Sequence, residues 1–467
     1  MAEGIPLQGN TPVPETRRQI SHCQPRPVAT IAPDLVAPEP LTDPGTPRRR
    51  VGSAWPLFVL FPMLPVWWAL GVSGLVLSIC TLPLIAALVL RRRLLVPRGF
   101  GLYLVFLLWC VFSATRLAST RDAFSAGYRG SLYLGAGLLF LYVLNAPRRD
   151  LPPDRVVRIM ASFFVLTVVG GVIGMIVPNI AFTTVARGFV PPGLLTDRFV
   201  SDLVSASTSS GRAFAAYPIY RPKAPFIYAN EWGAAYAMSL PFALCAIAKA
   251  RTKMARDALL VVALVSVFPL VFSLNRGAWL SAVAGVLYAT IRLARGRNGQ
   301  LLRVVAAVSM VLGVLFFVTP LGEIVMTRLQ NGYGDAHRAQ LYTESIALVR
   351  ASPVLGYGAP VLIEGNLSAG THGQLWTILV SQGLPGLLAF TGWLLWAMWR
   401  ASRRLPPGHP GDPVVRFWCE VTIFVALIQM PYYDLLPWGL SIAMVAAALA
   451  WREELAFVRS LPAPEPR

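Results

Sequence analysis

The sequence predicts an all-α polytopic membrane protein, a bundle of about twelve transmembrane helices with two long loops on one face, the second partly helical. Three observations predict it. Apolar residues come in blocks of about twenty, the length a helix needs to cross a ~30 Å hydrocarbon core. Of the 467 residues, 55% are hydrophobic and 13% charged, where a soluble domain carries roughly 25% charged residues. Basic residues also recur in every second connection. An ordinary soluble enzyme and a disordered chain are both excluded.

Residues 1–52 are rich in Pro, Arg and small polar side chains, which predicts a disordered cytoplasmic tail. No apolar run with a cleavage site opens the chain, so a signal peptide is not expected. The transmembrane domain is expected over 53–452 and a second cytoplasmic tail over 453–467. The apolar runs are 54–71, 73–90, 100–115, 130–146, 159–178, 227–248, 258–274, 277–293, 303–320, 374–399, 414–431 and 436–451. The first two are short and join tightly at residues 71–74.

With the first residue inside, the inside connections carry Arg91 to Arg93, Arg148 and Arg149, Lys249 to Arg256, Arg292 to Arg303, Arg400 to Arg404, and Arg452 and Arg459. That unbroken alternation predicts both termini on the cytoplasmic side. It also accounts for most of the net charge of +19, from 41 Lys+Arg against 22 Asp+Glu. A nucleic-acid partner is therefore not expected. Trp67, Trp68, Tyr228, Trp376 and Trp451 near run ends read as an interfacial belt. The five cysteines form no CxxC and suggest no disulfide framework or metal site.

Two long connections, about 179–226 and 321–373, fall on the outside. The second contains a helical stretch over 336–349, with Asp335 as N-cap and Pro353 after its end. Large loops on one face predict that the protein works there.

Four histidines exist, His22, His337, His372 and His409, and only His337 and His372 face outside. His372 directly precedes a long apolar helix, with Thr371 as a possible N-cap. A helix N-terminus disfavours an imidazolium, and a neutral imidazole suits a general base. The alternative is a loop or capping histidine. Arg276 follows Asn275 at a break between two helices, where a charge is costly without a partner or a function. Arg221 precedes the sixth helix in Tyr220-Arg221-Pro222-Lys223, with Asn230 and Glu231 in that helix's first turn. Arg338 neighbours His337, and Arg187, Arg198 and Arg212 lie in the first long loop. The outside acids are scattered, so the expected partner of these guanidiniums is an anion on a ligand. Their fork matches phosphate geometry. The alternative is snorkelling or local ion pairs, such as Arg338 with Asp335. No Asp-x-Asp, His-Glu-x-x-His, clustered outside carboxylates or P-loop is present, which argues against a metal and against ATP.

Three segments carry a family resemblance. They are Tyr220-Arg221-Pro222 with Phe226 and Asn230-Glu231; Asn275-Arg276-Gly277-Ala278; and the loop from His337-Arg338 through Leu341-Tyr342 and Pro353-Val354-Leu355-Gly356-Tyr357-Gly358 to His372 and Gly383-Leu384-Pro385-Gly386. Together, over about 215–390, they resemble the bacterial O-antigen ligase / O-antigen polymerase superfamily. The sequence departs from the family where Ala336-His337 replaces Ser-Gly and Gly373 replaces Asn after the histidine.

The resemblance implies a GT-C-type membrane glycosyltransferase acting at the periplasmic face of the inner membrane, so the two outside loops would be periplasmic. The donor would be a glycan on undecaprenyl diphosphate. The acceptor would be lipid A–core in a ligase, a second lipid-linked repeat in a polymerase, or a Ser or Thr in a protein O-oligosaccharyltransferase. The expected catalytic residues are His372, Arg276 and Arg221. Expected substrate-binding residues are Arg338, His337, Tyr220, Lys223 and Asn230, with Arg187 and Arg198. Membrane lipids surround the protein, and no cofactor or metal is expected. Polymerases of the family tend to carry an arginine and a glycine ten residues apart in both outside loops. Arg187, Arg198, Arg212, Arg221, Arg328, Arg338 and Arg350 are each followed at that spacing by something other than glycine, which favours the ligase. A transporter would instead need ionisable residues inside its spans or repeated halves; few charges lie inside the spans and no clear repeat is present.

Overall fold

A computed structural model of the chain describes residues 54–91, 94–214, 217–295, 335–363, 367–370 and 372–455, together with Met310 and Met326. The two expected tails lie outside these residues, except that 453–455 continue the last helix. The expected span at 303–320 lies outside them apart from Met310.

The architecture is mainly helical. In chain order the helices are α1 (Trp55–Leu60), α2 (Leu64–Leu70), α3 (Val76–Val89), α4 (Gly101–Ser113), α5 (Thr120–Asn145), α6 (Pro153–Ile176), α7 (Arg198–Leu203), α8 (Ala229–Ala248), α9 (Lys253–Val265), α10 (Val267–Phe272), α11 (Arg276–Arg295), α12 (Asp335–Ala351), α13 (Gln374–Ser402), α14 (Pro413–Gln429) and α15 (Trp438–Leu455). Among the described residues, 6 segments are long and apolar enough to cross a membrane: Arg98–Arg116, Pro153–Ile176, Ala229–Ala248, Lys253–Phe272, Arg276–Arg295 and Gln374–Ser402. The first apolar run is two helices rather than one, because Pro62 and Pro65 interrupt the backbone ladder around Met63.

Among the described residues, strands occur only as short antiparallel pairs. β1 (Ala181–Thr183) pairs with β2 (Ser205–Ser207), β3 (Ser209–Phe214) with β4 (Tyr217–Pro222), and β5 (Val361–Ile363) with β6 (Leu367–Ala369). In the second pair Ser210 stands opposite Arg221.

Lipid tails are as apolar as leucine, so close backbone approach has to hold such helices together. α6 supplies it with small residues. A Cβ on Gly170 would lie 2.3 Å from the Ala224 carbonyl oxygen, and one on Gly174 would lie 2.5 Å from that of Thr208. The β3–β4 hairpin and the start of α8 therefore rest directly on α6. An aromatic cluster fills the interior between α4, α5, α13 and α15. Phe100 stacks on Phe140 at 4.8 Å, Trp393 meets both edge-on, and Trp393 stacks on Trp451 at 5.7 Å. Trp451 is thus a core residue at 4% exposure, not part of an interfacial belt. Described cysteines Cys80, Cys110, Cys245 and Cys419 are free thiols.

Charges concentrate at the two ends of the bundle. At the end with the basic connections, Arg148 pairs with Glu453 at 2.8 Å, Lys249 with Asp154 at 3.0 Å and with Asp412, Arg292 with Glu420 at 2.9 Å, and Arg400 with Glu454 at 2.7 Å. The opposite end gathers the starts of α5, α8, α11, α13 and α15 with the close of α14.

α13 breaks at Gly383, where φ is 68° and ψ is −169°. A Cβ there would lie 2.3 Å from the Val354 carbonyl oxygen. Gly383→Ala should cost about 1–3 kcal/mol for the backbone alone and lower the thermal unfolding temperature in detergent. Gly127→Ala, on an open face of α5 with nothing within 4 Å of the added carbon, should leave it unchanged or raise it slightly.

Candidate functional site

His372 stands one residue before the N-cap of α13. That N-cap is Gly373, with φ 150° and no side-chain cap, so the helix starts without the expected threonine cap; Thr371 itself lies outside the described residues. A Cβ on Gly373 would lie 2.5 Å from the Pro431 carbonyl oxygen, so only glycine allows the close approach. The next two amides continue the contact. Gln374 N donates to Tyr433 O at 2.7 Å and Leu375 N to Met430 O at 2.9 Å. The backbone beside His372 is thereby laced to the connection between α14 and α15.

That connection reaches α11 as well. The Tyr433 hydroxyl donates to Asn275 Oδ1, and Asn275 Nδ2 donates to the Ala229 carbonyl oxygen at 3.3 Å. Asn275 is 5% exposed and directly precedes Arg276 at the start of α11. Tyr432 and Tyr433 lie against Gly277, where a Cβ would come within 2.8 Å of the Tyr433 hydroxyl. Arg276 and His372 are both half-buried.

Arg221 joins from β4. Its Nε donates to the Ser273 carbonyl oxygen at 2.6 Å, and a terminal nitrogen donates to Asn230 Oδ1 at 3.2 Å. Its fork therefore bridges the end of α10 and the first turn of α8, two residues from Asn275. Arg221, Arg276 and His372, distant in sequence, share one hydrogen-bonded frame.

Tyr220 neighbours Arg221 and is 37% exposed. Lys223 donates to the Ile227 carbonyl oxygen at 3.0 Å. Burial pulls its ammonium below the usual lysine range, while Asp202 and Glu231 act the other way. His337 and Arg338 lie in the first turn of α12, and their side chains are outside the described residues. Their helix docks on α13 through Tyr342, which stacks on Trp376 at 5.0 Å. Arg187 lies on the first loop and donates to Ser205 Oγ at 3.4 Å. Arg198 opens α7, its side chain outside the described residues.

Sequence reasoning missed several members of this end. Arg129 on α5 pairs with Asp434 at 2.7 Å, their side chains 19% and 25% exposed. Arg121 pairs with Asp197 at 3.0 Å. The outside acids are therefore partly matched by arginines just before the fourth apolar run. Gln374 and Tyr433 were missed too. The available signals were the Tyr432-Tyr433-Asp434 string closing an apolar run and an arginine at the edge of another.

Residues 259–391 match a family model described as O-antigen ligase. The match supports a member of the O-antigen ligase/polymerase family, and it includes Arg276, His337, Arg338 and His372 while Arg221 lies before it. No curated protein matches the chain.

Arg129→Leu leaves Asp434 partly buried without this partner. Loss of one member of a fully buried pair costs about 3–5 kcal/mol, and partial exposure reduces that to about 1–3 kcal/mol here. Thermal unfolding in detergent should show the loss, and adding Asp434→Leu should restore part of it, because the orphaned charge is then gone.

Proposed function

We propose that the chain is an O-antigen ligase. It transfers a glycan from undecaprenyl diphosphate to lipid A–core in lipopolysaccharide biosynthesis. The enzyme is a metal-independent, inverting glycosyltransferase of the GT-C kind in the bacterial inner membrane. Its site faces the periplasm and both termini face the cytoplasm. The observation that carries this reading is the common frame beneath His372, Arg276 and Arg221.

The reaction is one displacement. An acceptor hydroxyl oxygen attacks the anomeric carbon of the donor sugar, and the bond from that carbon to the diphosphate oxygen breaks. The leaving diphosphate takes the electron pair. His372 accepts the hydroxyl proton through an imidazole nitrogen. Arg276 and Arg221 stabilise the negative charge that grows on the diphosphate. Arg338 and His337 engage substrate from the second loop. Tyr220, Lys223 and Asn230 do so beside Arg221, and Arg187 and Arg198 from the first loop. The activated donor carries the energy, so neither ATP nor a cofactor is needed. At the arginines of the two long connections, the lack of the arginine-to-glycine spacing of the polymerases favours lipid A–core as acceptor.

Reconstitution with a lipid-linked glycan and two competing acceptors tests the proposal. Transfer to lipid A–core is expected; preferred transfer to a second lipid-linked repeat would make the enzyme a polymerase. His372→Ala should slow transfer by about 10²–10⁴-fold, and full activity would refute the base assignment. Arg276→Lys replaces a fork with a point charge and should slow it by about 10²–10³-fold. EDTA should leave turnover unchanged; inhibition reversed by Mg²⁺ or Mn²⁺ would overturn metal independence.

A further inference from the structure

Between the proposed base and the proposed phosphate-binding arginine lies a set of buried polar groups that the reaction itself does not use. Gln374 is 0% exposed, yet it is a polar residue in the first turn of a membrane helix. Its Nε2 donates to the Tyr133 hydroxyl at 2.7 Å, and its Oε1 accepts from Leu435 N at 3.1 Å. Tyr133 is anchored in turn, since the Tyr103 hydroxyl donates to its carbonyl oxygen at 2.7 Å. Tyr433 is 5% exposed and donates to Asn275. A buried polar side chain in such an environment is costly unless its partners are in place. Here each partner lies on a different part of the chain: α5, the residue just before α11, or the connection after α14.

We propose that Gln374 and Tyr433 are positioning residues that hold His372 and Arg276 in register with each other. Gln374 follows His372 by two residues and fastens the start of α13 to α5 and to Leu435. Tyr433 accepts from the Gln374 amide and binds the residue next to Arg276. A displacement at the start of either helix is therefore transmitted through one short connection. Neither side chain needs to touch substrate. Their role is to keep the base and the guanidinium at the separation that an attacking hydroxyl and a departing diphosphate require, where a misplacement of about 1 Å can cost 10²-fold in rate. This inference rests on the ligase reading above.

Tyr433→Phe keeps the ring against Gly277 and removes only the hydroxyl. Gln374→Met keeps the length and removes both side-chain hydrogen bonds. Each folded variant, measured in nanodiscs with lipid-linked donor and lipid A–core, should lose about 10- to 100-fold in kcat. KM for the donor should stay within about twofold, because the ligand-touching groups remain. In an Arg276→Lys background, Tyr433→Phe should change kcat by less than about twofold, since it acts through that residue. A wild-type kcat in Tyr433→Phe, or losses that multiply with Arg276→Lys, would overturn the proposal even if Gln374→Met fails to fold. If His372→Ala transfers glycan at the wild-type rate, the ligase mechanism beneath it falls and this inference with it. If His372→Ala is inactive and Tyr433→Phe is unimpaired, only the positioning role fails.

Discussion

The connection over residues 430–435 carries the constraint on which one end of this bundle depends. Helix starts expose amide groups that have no partner inside their own helix, and hydrocarbon offers none. α13 resolves this by giving its first amides to Tyr433 and Met430. The same connection gives its tyrosine hydroxyl to Asn275 at the start of α11 and its aspartate to Arg129 on α5. One stretch of irregular backbone therefore satisfies the start of α13 and ties it to α11 and α5.

Close approach makes this possible. Gly373 lies against Pro431, Gly277 against Tyr432 and Tyr433, and Gly174 against the β3–β4 hairpin. At each place a methyl group would occupy space already taken by neighbouring atoms. The glycines let polar backbone meet polar backbone, and the hairpin so placed delivers Arg221 to the carbonyl of Ser273. The site is thus a product of packing between elements rather than of any single loop.

Charge is managed differently at the two ends. The basic connections at one end are matched by Glu453, Glu454, Asp154, Asp412 and Glu420, so part of the positive excess is neutralised within the fold. Glu453 and Glu420 are the buried members, and breaking either pair would strand a buried carboxylate. At the opposite end, Arg221 reaches the Ser273 carbonyl oxygen and the Asn230 amide oxygen.

The sequence by itself determined the helical membrane class, the positions of most helices, the helix within the second long loop, and the scarcity of histidine. Those features depend on local hydropathy, on charge asymmetry and on residue type, which the chain states directly. It also offered the motif segments around Arg221, Arg276 and His372. Only the tertiary structure decided that these segments share one frame, because the link runs through Tyr433, Asn275 and Gln374, whose partners lie 158 residues away for the Tyr433–Asn275 bond and 241 for Gln374–Tyr133. It likewise decided that Arg129 meets Asp434 across 305 residues. Trp451 illustrates the same division: an aromatic at a helix end suits an interfacial belt and an interior stack equally well in sequence, and its contact with Trp393 selects the second. Hydrogen bonds and ring contacts are short-ranged in space, and no periodicity along the chain records which distant residue will come within 3 Å.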